Sequence, residues 1–187
     1  MADALVPMLS PADAAERALG AGVSRQLAAL HIFRVLLRCP SAAKATADLL
    51  LELLSGRALA HRLRELVIMR VGWATGSDYE WTQHWRIATE VFAFDPADVL
   101  AVREWERLER FGEVERAVLA ATDETLRNGR VGEATLERCR HALGEPALIE
   151  LVLAIGVWRT VSELTRSLGV PVEEGVASWP PDGQAPT

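Results

Sequence analysis

Apolar residues recur along this chain at helical rather than strand spacing. Between Ser41 and Gly56, Ala45, Leu49, Leu50, Leu53 and Leu54 fall on one face of a 3.6-residue period. Ser10-Pro11 reads as an N-cap with proline at the first helical position, so a helix is expected from Pro11 to about Leu19, stopped by Gly20 and Gly22. Ser24 is expected to cap a single helix through "RQLAALHIFRVLLRCP", ended by Pro40, and Ser41 to cap the next. The stretch "ALAHRLRELVIMRVGWATG" contains an alternating "LVIMRV" that would permit a strand. Its length and its upstream arginines and glutamate argue for a helix.

Gly76-Ser77-Asp78 predicts a sharp turn, after which Ser77 and Glu80 form the S-x-x-E capping box of a helix over Asp78–Phe92. Asp95-Pro96 starts another helix, "DVLAVREWERLERFG", with charges on its outer face. Helices are expected over Val114–Asn128 and Gly132–Leu143. A break at Gly144-Glu145-Pro146 precedes the apolar and therefore buried "ALIELVLAIGVWRTVSELTRSLG". Prolines at 171, 180, 181 and 186 mark an extended, partly disordered tail. No segment reads as a strand, and the fold class is all-α.

Composition narrows the function. The chain has 187 residues, enough for one domain with its own core, and half of them are hydrophobic. The net charge is −6 and no run of basic residues occurs, which argues against a nucleic-acid partner. Cys39 and Cys139 lie far apart, form no CxxC or zinc spacing, and are expected as free thiols in a reducing compartment. The first twenty residues lack the basic start of a signal peptide, and no run of 18 apolar residues exists. No membrane partner and a cytoplasmic location are expected.

The chemistry concentrates in "GSDYEWTQHWRIA", Gly76–Ala88, which holds one of only four histidines. On a helix Glu80 and His84 are i and i+4 and share a face. If the helix before the turn folds back as a hairpin, Glu65 and His84 lie at roughly 16 and 12 Å from the turn, nearly the same depth. A carboxylate–imidazole–carboxylate group there would tune His84 for proton transfer. Three readings stay open on the residues alone: a hydrogen-bonded core histidine, an acid/base catalyst, or a metal ligand. The metal pattern is weak, because the second histidine of HExxH is missing and Glu-x-x-x-His is not the Glu-x-x-His of di-iron bundles.

The stretch "RLRELVIMRVGWATGSDYEWTQHWRIA" resembles the carboxymuconolactone decarboxylase family of the AhpD-like (alkylhydroperoxidase D) superfamily. Looser similarity covers about residues 25 to 172. It implies a lead-in and short helix over 1–24, an AhpD-like helical domain with a central helical hairpin over 25–172, and a flexible tail over 173–187. In the superfamily's peroxidases a glutamate, a CxxC pair and a histidine act together. Glu65 and His84 match the glutamate and the histidine, but Ser77 and Glu80 stand where the two cysteines would be. Thiol peroxidase chemistry needs a reactive thiolate and a resolving thiol, so it is not expected.

The decarboxylases of the family act on lactone acids without a redox cysteine pair. The resemblance therefore implies a cofactor-independent lyase or isomerase acting by proton transfer on a small lactone or carbonyl acid, with no cofactor and no metal. It makes His84 the proton donor and acceptor, Glu80 a proton relay, and Glu65 the group that orients the imidazole. Tyr79 would hydrogen-bond an oxyanion, and Arg70 or Arg86 would hold a substrate carboxylate. Trp73 and Trp81 are the tryptophans best placed to line a substrate, although core or interface anchoring is the commoner use of such residues. Family members imply a homo-oligomer, trimeric or hexameric. Competing readings are a non-catalytic oligomeric binding protein and a metal-dependent enzyme on the same fold. A transcription regulator is disfavoured, because "VSELTRSLGV" is followed by no recognition helix.

Overall fold

The structure is a computed structural model and describes residues 6–186. Among these residues every regular element is helical. The chain forms two compact units. One comprises the chain up to Ser55 together with Leu164–Val176, and the other comprises Gly56–Glu163 together with the segment from Ala177 onward. Residues 1–5, the first part of the expected lead-in, lie outside the described residues, as does Thr187.

In the first unit, α1 (Pro11–Ala21) begins as expected: Ser10 Oγ accepts the Asp13 N–H at 3.1 Å, and Gly22 closes the helix. The single helix expected after Ser24 is instead two, α2 (Arg25–Ala29) and α3 (His31–Leu36). Leu30 between them is extended, with φ −71° and ψ 139°. The break is satisfied from far along the chain. The His31 N–H donates to Glu173 Oε1 at 3.1 Å, and the His31 ring lies 3.1 Å from the Pro171 carbonyl. Pro40 does not end a helix; it opens α4 (Pro40–Ser55), one residue before the expected Ser41 cap. A proline costs nothing there, because a first-turn N–H has no intrahelical partner. Ala14, Ala18, Phe33, Leu37, Ala43 and Ala47 are buried in this unit.

The second unit is organised by a helical hairpin, α5 (His61–Thr75) and α6 (Asp78–Arg86). Gly76 takes the left-handed conformation at φ 68°, which ends α5 and turns the chain. Ser77 Oγ then accepts the Glu80 N–H at 3.4 Å, the cap that the sequence predicts. Close packing of the two helices depends on Gly72, where a Cβ would stand 3.1 Å from the Trp81 backbone nitrogen. The helix expected to Phe92 changes character early, since Ile87–Val91 is a wider π-helical turn.

Asp95 caps α7 (Pro96–Ala101), which tightens to a 3-10 turn and does not continue as the charged helix expected. Trp105 and Phe111 are pulled into the core instead. Arg116 takes up the carbonyls left without helical partners, donating to Trp105 O, Leu108 O and Glu106 O. Next come α8 (Glu113–Asn128) and α9 (Glu133–Leu168), the latter kinked at Gly144 (φ 75°, ψ 169°), where the sequence predicts a break. Leu66, Met69, Trp81, Val102, Trp105 and Leu119 form the centre of this unit.

The segment after Val176, expected as a flexible tail, makes specific contacts in this unit. Ser178 hydrogen-bonds Asp78, the Trp81 indole donates to Pro180 O at 2.8 Å, and Arg103 holds Asp182 through two hydrogen bonds of 2.7 and 3.0 Å.

Candidate functional site

Glu65, Glu80 and His84 come together in the second unit. Glu65 is on the inner face of α5, and the turn at Gly76 brings α6 back beside it. His84 Nδ1 lies 2.8 Å from Glu65 Oε2. His84 Nε2 lies 3.9 Å from Glu80 Oε2, one helical turn earlier on α6. The depth matching read from the sequence thus becomes direct contact. Glu65 is 1% exposed, Glu80 4% and His84 7%, so the group is enclosed by protein.

Two further side chains complete it, and the sequence analysis singled out neither. Trp158 on α9 donates its indole N–H to His84 Nε2 at 3.3 Å, with the two rings edge to face. Arg64, 4% exposed, has Nε 3.7 Å from Glu65 Oε1. Trp158 was legible only as a large residue in an apolar helix. Its direction toward His84 depends on how α9 packs.

The electrostatics of His84 are a contest. Burial is the largest influence and disfavours the charged ring. Attraction to Glu65 and the hydrogen bond with it act the other way, followed by attraction to Glu80, while Arg64 opposes protonation. The balance raises the His84 pKa above its ordinary value of 6.5. An imidazole can both accept and deliver a proton.

The other candidate residues scatter. Tyr79 is buried at the start of α6. Trp81 is fully buried and belongs to the core, with its N–H spent on Pro180. Trp73 is half-buried against Trp81 and Trp179, with the Arg103 guanidinium 4.5 Å from its ring centroid. It lines a cavity of about 570 Å³ with Leu100, Arg103, Leu108 and Asp182. Arg70 is engaged by Asp123 at 2.6 and 2.9 Å and donates to the Val102 and Arg103 carbonyls. Arg86 is exposed and two residues from His84, hence on another face of α6. Among the described residues no group of three or more His, Cys, Asp or Glu is arranged to hold a metal ion. Both cysteines are free thiols, Cys39 exposed and Cys139 buried. Among the described residues no helix is long and apolar enough to cross a membrane.

Residues 40–124 match the model of the carboxymuconolactone decarboxylase family. That span includes Glu65, Glu80 and His84. Several solved structures share the fold. A variant of the debrominase Bmp8 in complex with 2,3,4-tribromopyrrole superposes with a TM-score of 0.77 at 20% identity, covering 92% of this chain and 94% of that one. An uncharacterized peroxidase-related protein from Ralstonia eutropha JMP134, described as an alkylhydroperoxidase AhpD core, gives 0.75 at 17% identity, covering 93% and 94%. A protein of unknown function from Agrobacterium tumefaciens gives 0.67 at 21% identity, covering 74% and 96%. No curated protein matches the chain. Over residues 40–124 the chain is therefore similar to the carboxymuconolactone decarboxylase family, its fold is the AhpD-like helical fold, and serine and glutamate stand at positions 77 and 80.

Proposed function

We propose that this protein is an enzyme that transfers a proton on a small lactone or carbonyl acid without a redox cysteine pair, with His84 as the acid/base. The observation that carries the reading is the enclosed Glu65–His84–Glu80 group, with Nδ1 2.8 Å from one carboxylate and Nε2 3.9 Å from the other. A buried histidine serving only the core needs one partner on each side. Two buried carboxylates around one imidazole are costly to fold and useful for holding a proton. The debrominase among the similar folds supports enzymatic chemistry on this scaffold without naming this substrate.

In a 4-carboxymuconolactone decarboxylase-like reaction, the substrate C–C bond breaks, CO₂ leaves, and the electron pair moves onto the lactone carbonyl as a dienolate. Imidazolium at His84 then delivers its proton to carbon, and the dienolate electrons form the new C–H bond. Glu65 holds the ring by Nδ1 and stabilises its positive charge, while Glu80 is placed to return a proton to Nε2. Arg70 is spent on Asp123, so a substrate carboxylate would have to displace a bidentate partner to use it. A homo-oligomer belongs to the same proposal, supported by Ile149, Val152 and Leu153, which lie exposed on α9 at helical spacing.

The test is ultraviolet absorbance of 4-carboxymuconolactone mixed with purified protein, alongside His84→Gln. Glutamine keeps an N–H for Glu65, whereas alanine would leave that carboxylate buried without its partner. Turnover by the wild type, lost in a folded His84→Gln, supports the reading. No turnover by either overturns the decarboxylase assignment. Stoichiometric metal that is lost together with His84 would favour a metal-dependent enzyme instead.

A further inference from the structure

The contact between Trp158 and His84 constrains where the imidazole carries its proton. An indole N–H can donate and cannot accept. A hydrogen bond from Trp158 Nε1 to His84 Nε2 at 3.3 Å therefore requires a lone pair on Nε2. The single proton of the neutral ring must then sit on Nδ1, pointing at Glu65 Oε2, 2.8 Å away. The two partners agree: a carboxylate wants a donor and an indole wants an acceptor. The opposite neutral tautomer would set N–H against N–H at Trp158 and a lone pair against the Glu65 carboxylate.

We propose that Trp158 is a positioning residue that fixes His84 as the Nδ1–H tautomer and so makes Nε2 the nitrogen through which protons enter and leave. Gaining a proton at Nε2 removes the acceptor that the indole uses. The new N–H then has Glu80 Oε2, 3.9 Å away in the neutral arrangement, as its nearest carboxylate. Trp158 and Glu80 thus compete for one nitrogen, the first favouring the neutral ring and the second the charged one. The charged groups around the ring are Glu65 and Arg64 from α5 and Glu80 from α6. From α9 the contact is the uncharged indole, and the neighbouring Arg159 is half-buried and paired with Glu163. For turnover, this assignment rests on the proposed role of His84. Its test does not.

The experiment is nitrogen NMR of the full-length protein labelled with ¹⁵N in histidine and tryptophan, followed through a pH titration. In the wild type, neutral His84 should show a protonated Nδ1 and an unprotonated Nε2. The Trp158 indole resonance should move with the same midpoint as His84. Trp158→Phe removes the donor that favours the neutral ring, so the His84 midpoint should rise by about half a unit to one unit. Glu80→Gln should move it down. A neutral ring protonated on Nε2, or an indole resonance indifferent to His84, overturns the proposal using the wild type alone, whatever the variants do. A Trp158→Phe midpoint that stays put or falls also overturns it. Inactivity toward 4-carboxymuconolactone would sink the proposed reaction and leave this assignment standing, so the two fail separately.

Discussion

Helix α5 carries two acid–base pairs five residues apart, the buried Glu65–His84 and the part-buried Arg70–Asp123. Both join a carboxylate to a nitrogen base and both receive a tryptophan N–H. At Asp123 everything is closed. Arg70 donates twice to the carboxylate, Trp105 donates to Asp123 Oδ2 at 3.1 Å, and the remaining Arg70 contacts go to two backbone carbonyls. The guanidinium is thus held from both sides, by a carboxylate and by two backbone carbonyls. At Glu65 the indole goes to the base rather than to the acid, and the base can titrate. Glu65 Oε1 is buried without a hydrogen bond among the described residues, 3.7 Å from Arg64 Nε. The Asp123 pair has both carboxylate oxygens engaged, whereas the Glu65 pair leaves one without a hydrogen bond. The same comparison explains why Arg70, a reasonable carboxylate clamp on sequence grounds, looks structural once its partners are seen.

The sharpest way to break this contrast is in turnover. If His84 is the acid/base, His84→Gln should lower the rate on a competent substrate by about 10²- to 10⁴-fold with the fold retained, read by steady-state kinetics and circular dichroism. Asp123→Ala should do the opposite, costing about 1–3 kcal/mol by leaving the part-buried Arg70 and the Trp105 N–H without their acceptor. Denaturant unfolding measures this, and an effect below about 1 kcal/mol would show that the pair is not structural.

A smaller effect separates the pairs by pH. Burial is the largest single influence on His84 and opposes its charge, but Glu65 and then Glu80 together outweigh it and raise the pKa above 6.5 in the folded protein. Its contribution to stability is therefore complete below about pH 6.5 and is lost as pH rises through the raised value. Glu65→Gln should flatten that slope in a series of unfolding midpoints. Asp123→Asn should leave it unchanged, since Asp123 is the partner of Arg70 and not of His84. The smallest expected change is at the segment after Val176. Asp182→Asn weakens a partly exposed pair with Arg103 and should cost at most about 1 kcal/mol.

Much of this was legible in one dimension because the signals are local. Helix periodicity, the Ser10 and Ser77 caps, the turn at Gly76 and the break at Gly144 each depend on a few adjacent residues. Glu80 and His84 share a face because of helix geometry alone. The depth of Glu65 follows from counting residues away from a tight turn. Helix integrity was less legible where distant groups compete for the backbone. The segment after Ser24 breaks at Leu30, where Glu173 takes the His31 N–H, and the segment after Ala101 leaves the helix where Arg116 takes its carbonyls.

The sequence by itself determined that the chain is helical, that a capped hairpin sets an imidazole among carboxylates, and that there is no CxxC pair. Only the tertiary structure decided that Glu65 and His84 touch, that Arg70 is spent on Asp123, and that the indole of Trp158, 74 residues beyond His84, meets Nε2. Capping and periodicity are enforced by bonds spanning three or four residues, so they are written in short stretches. The proton's place on His84 is set by the directions of three side chains on three helices, and only their packing brings those directions to one ring.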